Sequence, residues 1–186
     1  MINFSDTQTR YLIDYANLKQ GLIRHQNDFL SKQKFEDFVK KKYLGFPLVL
    51  PLGIKYFNYS NCKEIFKVSR KRVKKLIFGC KKNNYIGMKI FFKYGNRFCI
   101  GAVLKKRYQK DVNLIIKKNS KLISLVKRYK QKNKVSSFQT RNIPHLGHEL
   151  IIQRLMGKKK ILFINSLIGM KKKGDCKNDV LKNIYK

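Results

Sequence analysis

Residues 111–129 read DVNLIIKKNSKLISLVKRY, and the fold turns on how this run is taken. Val112-Asn113-Leu114-Ile115-Ile116 partly alternates, and Leu122 to Tyr129 is another short apolar stretch; both predict β-strands. Upstream, Ile86 to Tyr94 and Arg97 to Leu104 are apolar runs separated by Tyr94-Gly95-Asn96, a turn signal. Their lengths and spacing predict a small antiparallel barrel rather than βαβ units. Lys117 to Arg141 has frequent basic residues and few strong breakers, which suits a long β-ribbon. His148 to Met156 and Lys160 to Ile168 are two further apolar segments, joined by Gly157-Lys158-Lys159. The expected fold class is mainly β.

The chain before residue 84 has a different texture. Ser5 and Gln8 have capping-box spacing, and Tyr11, Leu12, Tyr15 and Leu18 then recur at helical spacing up to a stop at Gly21. A second helix is expected from near Ser31, with Phe35, Phe38, Val39 and Lys42 on one side, ending at Leu44-Gly45-Phe46-Pro47. Phe46 to Tyr59 reads as extended. Asn61 and Glu64 suggest another capped start, followed by Ile65, Val68, Arg72/Val73 and Leu76 at helical period and by Gly79 as a C-terminal glycine. The expected organisation is an N-terminal helical and extended segment (1–60), a basic amphipathic helix and linker (61–83), the barrel (84–168) and a basic tail (169–186). Within that tail, Val180, Leu181 and Ile184 suit a short helix.

Charge dominates the functional reading. Forty-four Lys and Arg face ten Asp and Glu, a formal +34 over 186 residues. Between Glu64 and Glu149 the only acid is Asp111, against twenty-four Lys and Arg. Such a chain repels itself and gains by meeting a polyanion, of which nucleic acid is the commonest. The basic helix supplies Lys67, Arg70, Lys71, Arg72, Lys74 and Lys75 as candidate phosphate contacts, followed by Lys81 and Lys82. The expected barrel adds Arg97, Lys105, Lys106, Arg107, Lys117, Lys118, Lys127, Arg128, Lys158, Lys159 and Lys160. Tyr85, Tyr94, Phe98, Tyr108 and Tyr129 lie close by, to stack on bases or to fill a core. Lys exceeds Arg heavily, which favours a binder of shape and phosphate over a reader of sequence.

Other classes find less support. No P-loop or dinucleotide fingerprint is present, and acids are too sparse for a carboxylate pair or metal cage, so no cofactor and no metal are expected. Cys62, Cys80, Cys99 and Cys176 lack zinc spacing and read as free thiols. The longest apolar run, Phe46 to Ile54, is short and broken by Pro47 and Pro51, so no membrane span is expected. The N-terminus has no secretory pattern. The abundance of Lys, Asn, Ile, Phe and Tyr suits an AT-rich gene, and the protein is expected in the mitochondrion, either made there or stripped of a presequence.

One stretch is similar to a catalytic signature. Pro144-His145-Leu146-Gly147-His148 resembles the His-x-Gly-His element of class I aminoacyl-tRNA synthetases and related nucleotidyltransferases. There the histidines stabilise the phosphates of ATP during adenylyl transfer. That element belongs after the first strand of a nucleotide-binding domain, and the residues after His148 look too few to complete one. Lys171-Lys172-Lys173 is a poor partner for the family's lysine-containing signature. The competing reading of the two histidines is a Pro-Gly loop facing solvent or RNA.

A wider resemblance covers about residues 84–170. It rests on Gly87-Met88-Lys89-Ile90, on Gly101-Ala102-Val103-Leu104 running into Lys105-Lys106-Arg107, and on Leu114-Ile115-Ile116-Lys117-Lys118. Val126-Lys127-Arg128-Tyr129 and the Lys158-Lys159 and Leu162-Phe163 pairs extend it. This pattern resembles the bacterial-type large-subunit ribosomal protein L-nineteen family. The resemblance implies an SH3-like barrel with a β-ribbon in a structural, non-enzymatic constituent of the large subunit. The implied partners are ribosomal RNA and neighbouring ribosomal proteins, with no membrane and no homo-oligomer. The expectation is therefore a mitochondrial ribosomal protein. The alternatives are a splicing or assembly factor that binds RNA and, more remotely, a nucleotidyltransferase-like enzyme using His145 and His148.

Overall fold

The computed structural model describes residues 6–23, 25–41, 47–79, 86–156, 160–167 and 174–185. The chain divides into two compact units, residues 7–116 and 117–186.

In the first unit, α1 (Thr9–Lys19) turns Tyr11, Leu12, Ala16 and Leu18 inward, and Gly21 leaves it in the left-handed region at φ 64°. Helix α2 (Lys32–Lys40) starts where the Ser31 side chain accepts the Lys34 N–H, and it buries Phe35, Phe38 and Val39. Short strands follow: β1 (Leu50–Pro51), β2 (Phe57–Asn58) and β3 (Glu64–Lys67). Then come α3 (Arg70–Leu76), α4 (Ile86–Phe91), β4 (Arg97–Ile100), β5 (Val103–Leu104) and a 3-10 turn over Lys106–Tyr108. Strand β4 pairs antiparallel with both β1 and β3, while β2 pairs with β5. Two apolar clusters sit around these sheets. One joins Phe35, Phe66, Phe91 and Phe98; the other joins Leu12, Leu50, Ile54, Phe57 and Val112.

Helix α5 (Gln109–Lys130) spans the division at 116/117. The second unit continues with β6 (Lys134–Thr140), α6 (Leu146–Leu155), β7 (Lys160–Ser166) and α7 (Asn178–Ile184). Strands β6 and β7 pair in parallel, from Lys134 opposite Lys160 to Thr140 opposite Ser166. A parallel pair needs a crossover, and α6 supplies it, so β6–α6–β7 is a βαβ unit.

This architecture overturns the mainly β expectation. Among the described residues there are seven α-helices, three small sheets and no closed barrel. The deciding stretch is helical throughout: Val112, Ile115 and Ile116, then Ile123, Val126 and Tyr129, fall on one face at helical spacing with Asn119 between the two groups, and no Gly or Pro interrupts them. Windows of five to eight residues hid that period, and the β-branched isoleucines and valines lent it a strand-like look. Ile86–Phe91 is likewise a helix, although the turn at Gly95 (φ 97°) is present. The helix expected from Asn61 is preempted by β3, and α3 instead starts at Arg70 behind a Ser69 cap. The expectation of four free thiols also fails, because β3–β4 pairing brings Cys62 and Cys99 together in a disulfide. Ser5, Lys42 and Leu44 to Phe46 lie outside the described residues, as does Cys80.

Candidate active site

The loop leaving β6 runs into a helix N-terminus, and that junction gathers the polar groups of the second unit. Thr140 ends β6 and is buried. Its Oγ1 accepts the Asn142 N–H at 3.1 Å and lies 3.2 Å from His148 Nε2. Its carbonyl accepts the Leu167 N–H at 2.7 Å, which ties the ends of the two parallel strands together. In open parallel sheets, ligands bind outside the carboxyl ends of the strands, and this is such an end.

His145 is the N-cap of α6, with extended backbone at φ −143° and ψ 171°. Its Nδ1 accepts the Gly147 N–H at 3.2 Å, and its carbonyl accepts from His148 and Glu149 N–H groups at 2.8 and 3.1 Å. A ring nitrogen that accepts carries no proton, so the neutral imidazole holds its proton on Nε2. That N–H is a donor left over from capping, on an exposed side chain. Gly147 makes the cap fit: a Cβ there would lie 3.1 Å from His145 Cε1 and 3.3 Å from Nδ1.

His148, one turn in, is only 9% exposed. Its ring sits 3.9 Å from that of His145, centroid to centroid, and 5.3 Å edge-on from Phe138. Nδ1 is buried and has no partner. Either atom of the Thr140–His148 contact can donate; where the Thr140 hydroxyl donates to Nε2, Nδ1 presents an unpaired N–H. A buried unpaired donor costs about 1–3 kcal/mol, which an anionic acceptor would offset. The N-terminus of the ten-residue α6 adds its own positive potential.

Arg141 is the one Lys or Arg between Thr140 and Glu149. Its Nη1 lies 3.3 Å from Asp175 Oδ2. The neighbouring Asn142 carbonyl accepts the Tyr185 hydroxyl at 3.5 Å. Two imidazoles, a helix N-terminus and a guanidinium thus follow one strand. That donor set suits phosphate and other oxyanions. No group of three or more His, Cys, Asp or Glu is placed to hold a metal among the described residues, and Glu149 accepts from Gln153 Nε2 at 3.2 Å.

The residues expected to meet RNA are distributed differently from a set of barrel turns. In the first unit, Lys67 on β3 stands directly opposite Arg97 on β4. Arg70, Lys71 and Lys74 of α3 line one hollow with Met88, Lys75 is exposed nearby on the same helix, and Arg70 lies over the Phe92 ring. Arg72 is paired with Glu36. Lys105, Lys106 and Arg107 border the 3-10 turn, with Arg107 over Tyr108. In the second unit, Lys117, Lys118, Lys127 and Arg128 lie along α5, and Lys117 and Arg128 line one shallow groove with Lys121. Lys160 opens β7. Lys81, Lys82, Lys158 and Lys159 fall outside the described residues. The sequence picked out His145 and His148 but missed Thr140, Arg141 and Asp175. The signal for the first two was positional: a strand-forming run, VSSFQT, ends immediately before the histidine loop.

Comparison with known proteins agrees with this geometry. Residues 117–186, the second unit, match the ATP-sulfurylase family model. The chain is 25% identical over 196 residues to a sulfate adenylyltransferase of Pyrococcus abyssi, covering 93% of this chain and 51% of that protein. The Thermococcus onnurineus protein of the same name is 23% identical over the same shares. A shorter match to that of Ignicoccus hospitalis is 44% identical over 52 residues, 28% of this chain and 14% of that protein. The chain spans about half the length of the first of these relatives. These matches overturn the ribosomal L-nineteen resemblance, and with it the expected ribosomal role, rRNA and ribosomal-protein partners and absence of catalysis. The relatives are named as enzymes. The faint ribosomal pattern arose from Gly-aliphatic-basic runs, which a Lys-rich chain repeats by composition alone. The nucleotidyltransferase alternative fits better.

Proposed function

We propose that this chain carries the adenylyl-transfer site of a sulfate adenylyltransferase. In that reaction a sulfate oxygen attacks the α-phosphorus of ATP, the α–β bridging bond breaks, and pyrophosphate leaves. Negative charge builds on the leaving pyrophosphate, so fixed donors beside it lower the barrier. His145 Nε2–H and His148 Nδ1–H are such donors, held by the α6 cap and by Thr140. Arg141, on the same loop, is the cation suited to the attacking oxyanion. The chain's net positive charge raises the local concentration of both anionic substrates.

The observation that carries this reading is the strand–loop–helix–strand order. His145 caps the crossover helix of a parallel pair, where a phosphate-binding loop of an α/β nucleotide domain belongs. The reading is tested by sulfate-dependent exchange of labelled pyrophosphate into ATP, together with equilibrium dialysis against ATP. Binding and exchange are expected in the wild type; in His148→Ala the exchange rate should fall at least a hundredfold, on the order of a lost oxyanion-hole donor, and ATP binding should weaken by less. ATP binding that survives both His145→Ala and His148→Ala would overturn it.

A further inference from the structure

Resting on the reading just given, we infer that Asp175 is a positioning residue: it holds the Arg141 guanidinium in place for the oxyanion acceptor substrate. Arg141 lies on a loop, and a long side chain there would otherwise sweep many rotamers. Asp175 Oδ2 holds it through Nη1 at 3.3 Å. The carboxylate is the anchored partner, 12% exposed at its side chain against 37% for the arginine. A guanidinium carries five N–H donors, so one contact leaves others for a tetrahedral anion. The same chain segment touches the loop twice. Beside the Asp175 contact, Tyr185 at the end of α7 donates to the carbonyl of Asn142, the next residue. Leu181 of α7 is fully buried, which fixes the segment that bears both contacts. A carboxylate repels an anion, so the part assigned to Asp175 is to hold the arginine rather than to touch the substrate.

A residue that positions Arg141 should affect one substrate and not the other. Asp175→Asn is expected to raise the KM for sulfate about tenfold, the loss of one charge-assisted hydrogen bond, while the KM for ATP stays within about twofold. Asp175→Glu should recover most of the loss. In an Arg141→Ala background, Asp175→Asn should add nothing further, because the partner it acts through is gone. A lower KM for sulfate in Asp175→Asn would overturn the inference and make the carboxylate a competitor of the anion. Equal effects on both substrates, or full additivity with Arg141→Ala, would reduce it to a structural contact. A wild type that binds ATP and sulfate yet is indifferent to Asp175→Asn sinks this inference alone. A wild type that binds neither takes the functional reading down with it.

Discussion

A methyl group at position 147 is the smallest change that reaches the histidine loop. The added Cβ would press on the His145 ring at 3.1 Å, so Gly147→Ala should weaken ATP binding about tenfold while moving the melting temperature little. Dialysis beside a thermal melt separates the two effects. Thr140→Val keeps the shape and removes the hydroxyl, which orphans both His148 Nε2 and the Asn142 N–H. The expected cost is about 1–3 kcal/mol in urea unfolding. In the first unit, burial raises the Asp14 carboxyl to about 6, with Arg10 pulling the other way. A carboxyl raised in the folded state favours folding when protonated, so its contribution is present below about pH 4 and is lost as pH rises through about 6. Asp14→Asn should flatten the stability profile across that window, and a profile unchanged by the substitution would contradict the assignment. At this scale the sequence was most legible. His145-Leu146-Gly147-His148 could be picked out by eye, because a cap, a glycine and a second histidine on the next positions are a local requirement. Asp175 was not legible, since it reaches Arg141 only through tertiary packing.

At the scale of elements, one cap was readable and the strand–helix choice was not. Ser31 caps α2 as its position suggested, whereas the capped start expected at Asn61 gives way to β3 and Ser69 caps α3 instead. The run from 111 to 129 was divided into two strands, although its inward apolar positions keep the helical period over about five turns. A window of eight residues holds barely two turns, and two turns of Ile, Leu and Val suit either state. Leu122→Pro tests the element directly. The residue is exposed, so little packing is lost, yet breaking α5 should cost about 3 kcal/mol or more, with loss of helical circular dichroism. The Cys62–Cys99 bridge was invisible for another reason: register, not spacing, makes the pair. Its loop of 37 residues predicts a loss of about 4 kcal/mol on Cys99→Ser by the chain-entropy relation, checked by urea unfolding with and without reductant.

For the whole molecule, the excess of cations was plain in the sequence, but its meaning was not. A charge of +34 says that the chain profits from anions and leaves open whether they are polymers or small substrates. The proposed reading takes them as small substrates, on the strength of donors arranged at one strand end. Raising sodium chloride from about 20 to 200 mM should stabilise the fold by screening self-repulsion, and should slow encounter with ATP for the same reason. The parallel pairing of β6 with β7 adds a kinetic consequence. Their ladder closes only when the two ends of a connection that carries α6 come together, which makes this closure entropically dear and slow compared with a hairpin. A variant with extra residues between Thr140 and α6 should therefore refold more slowly after dilution from urea, followed by its tyrosine fluorescence.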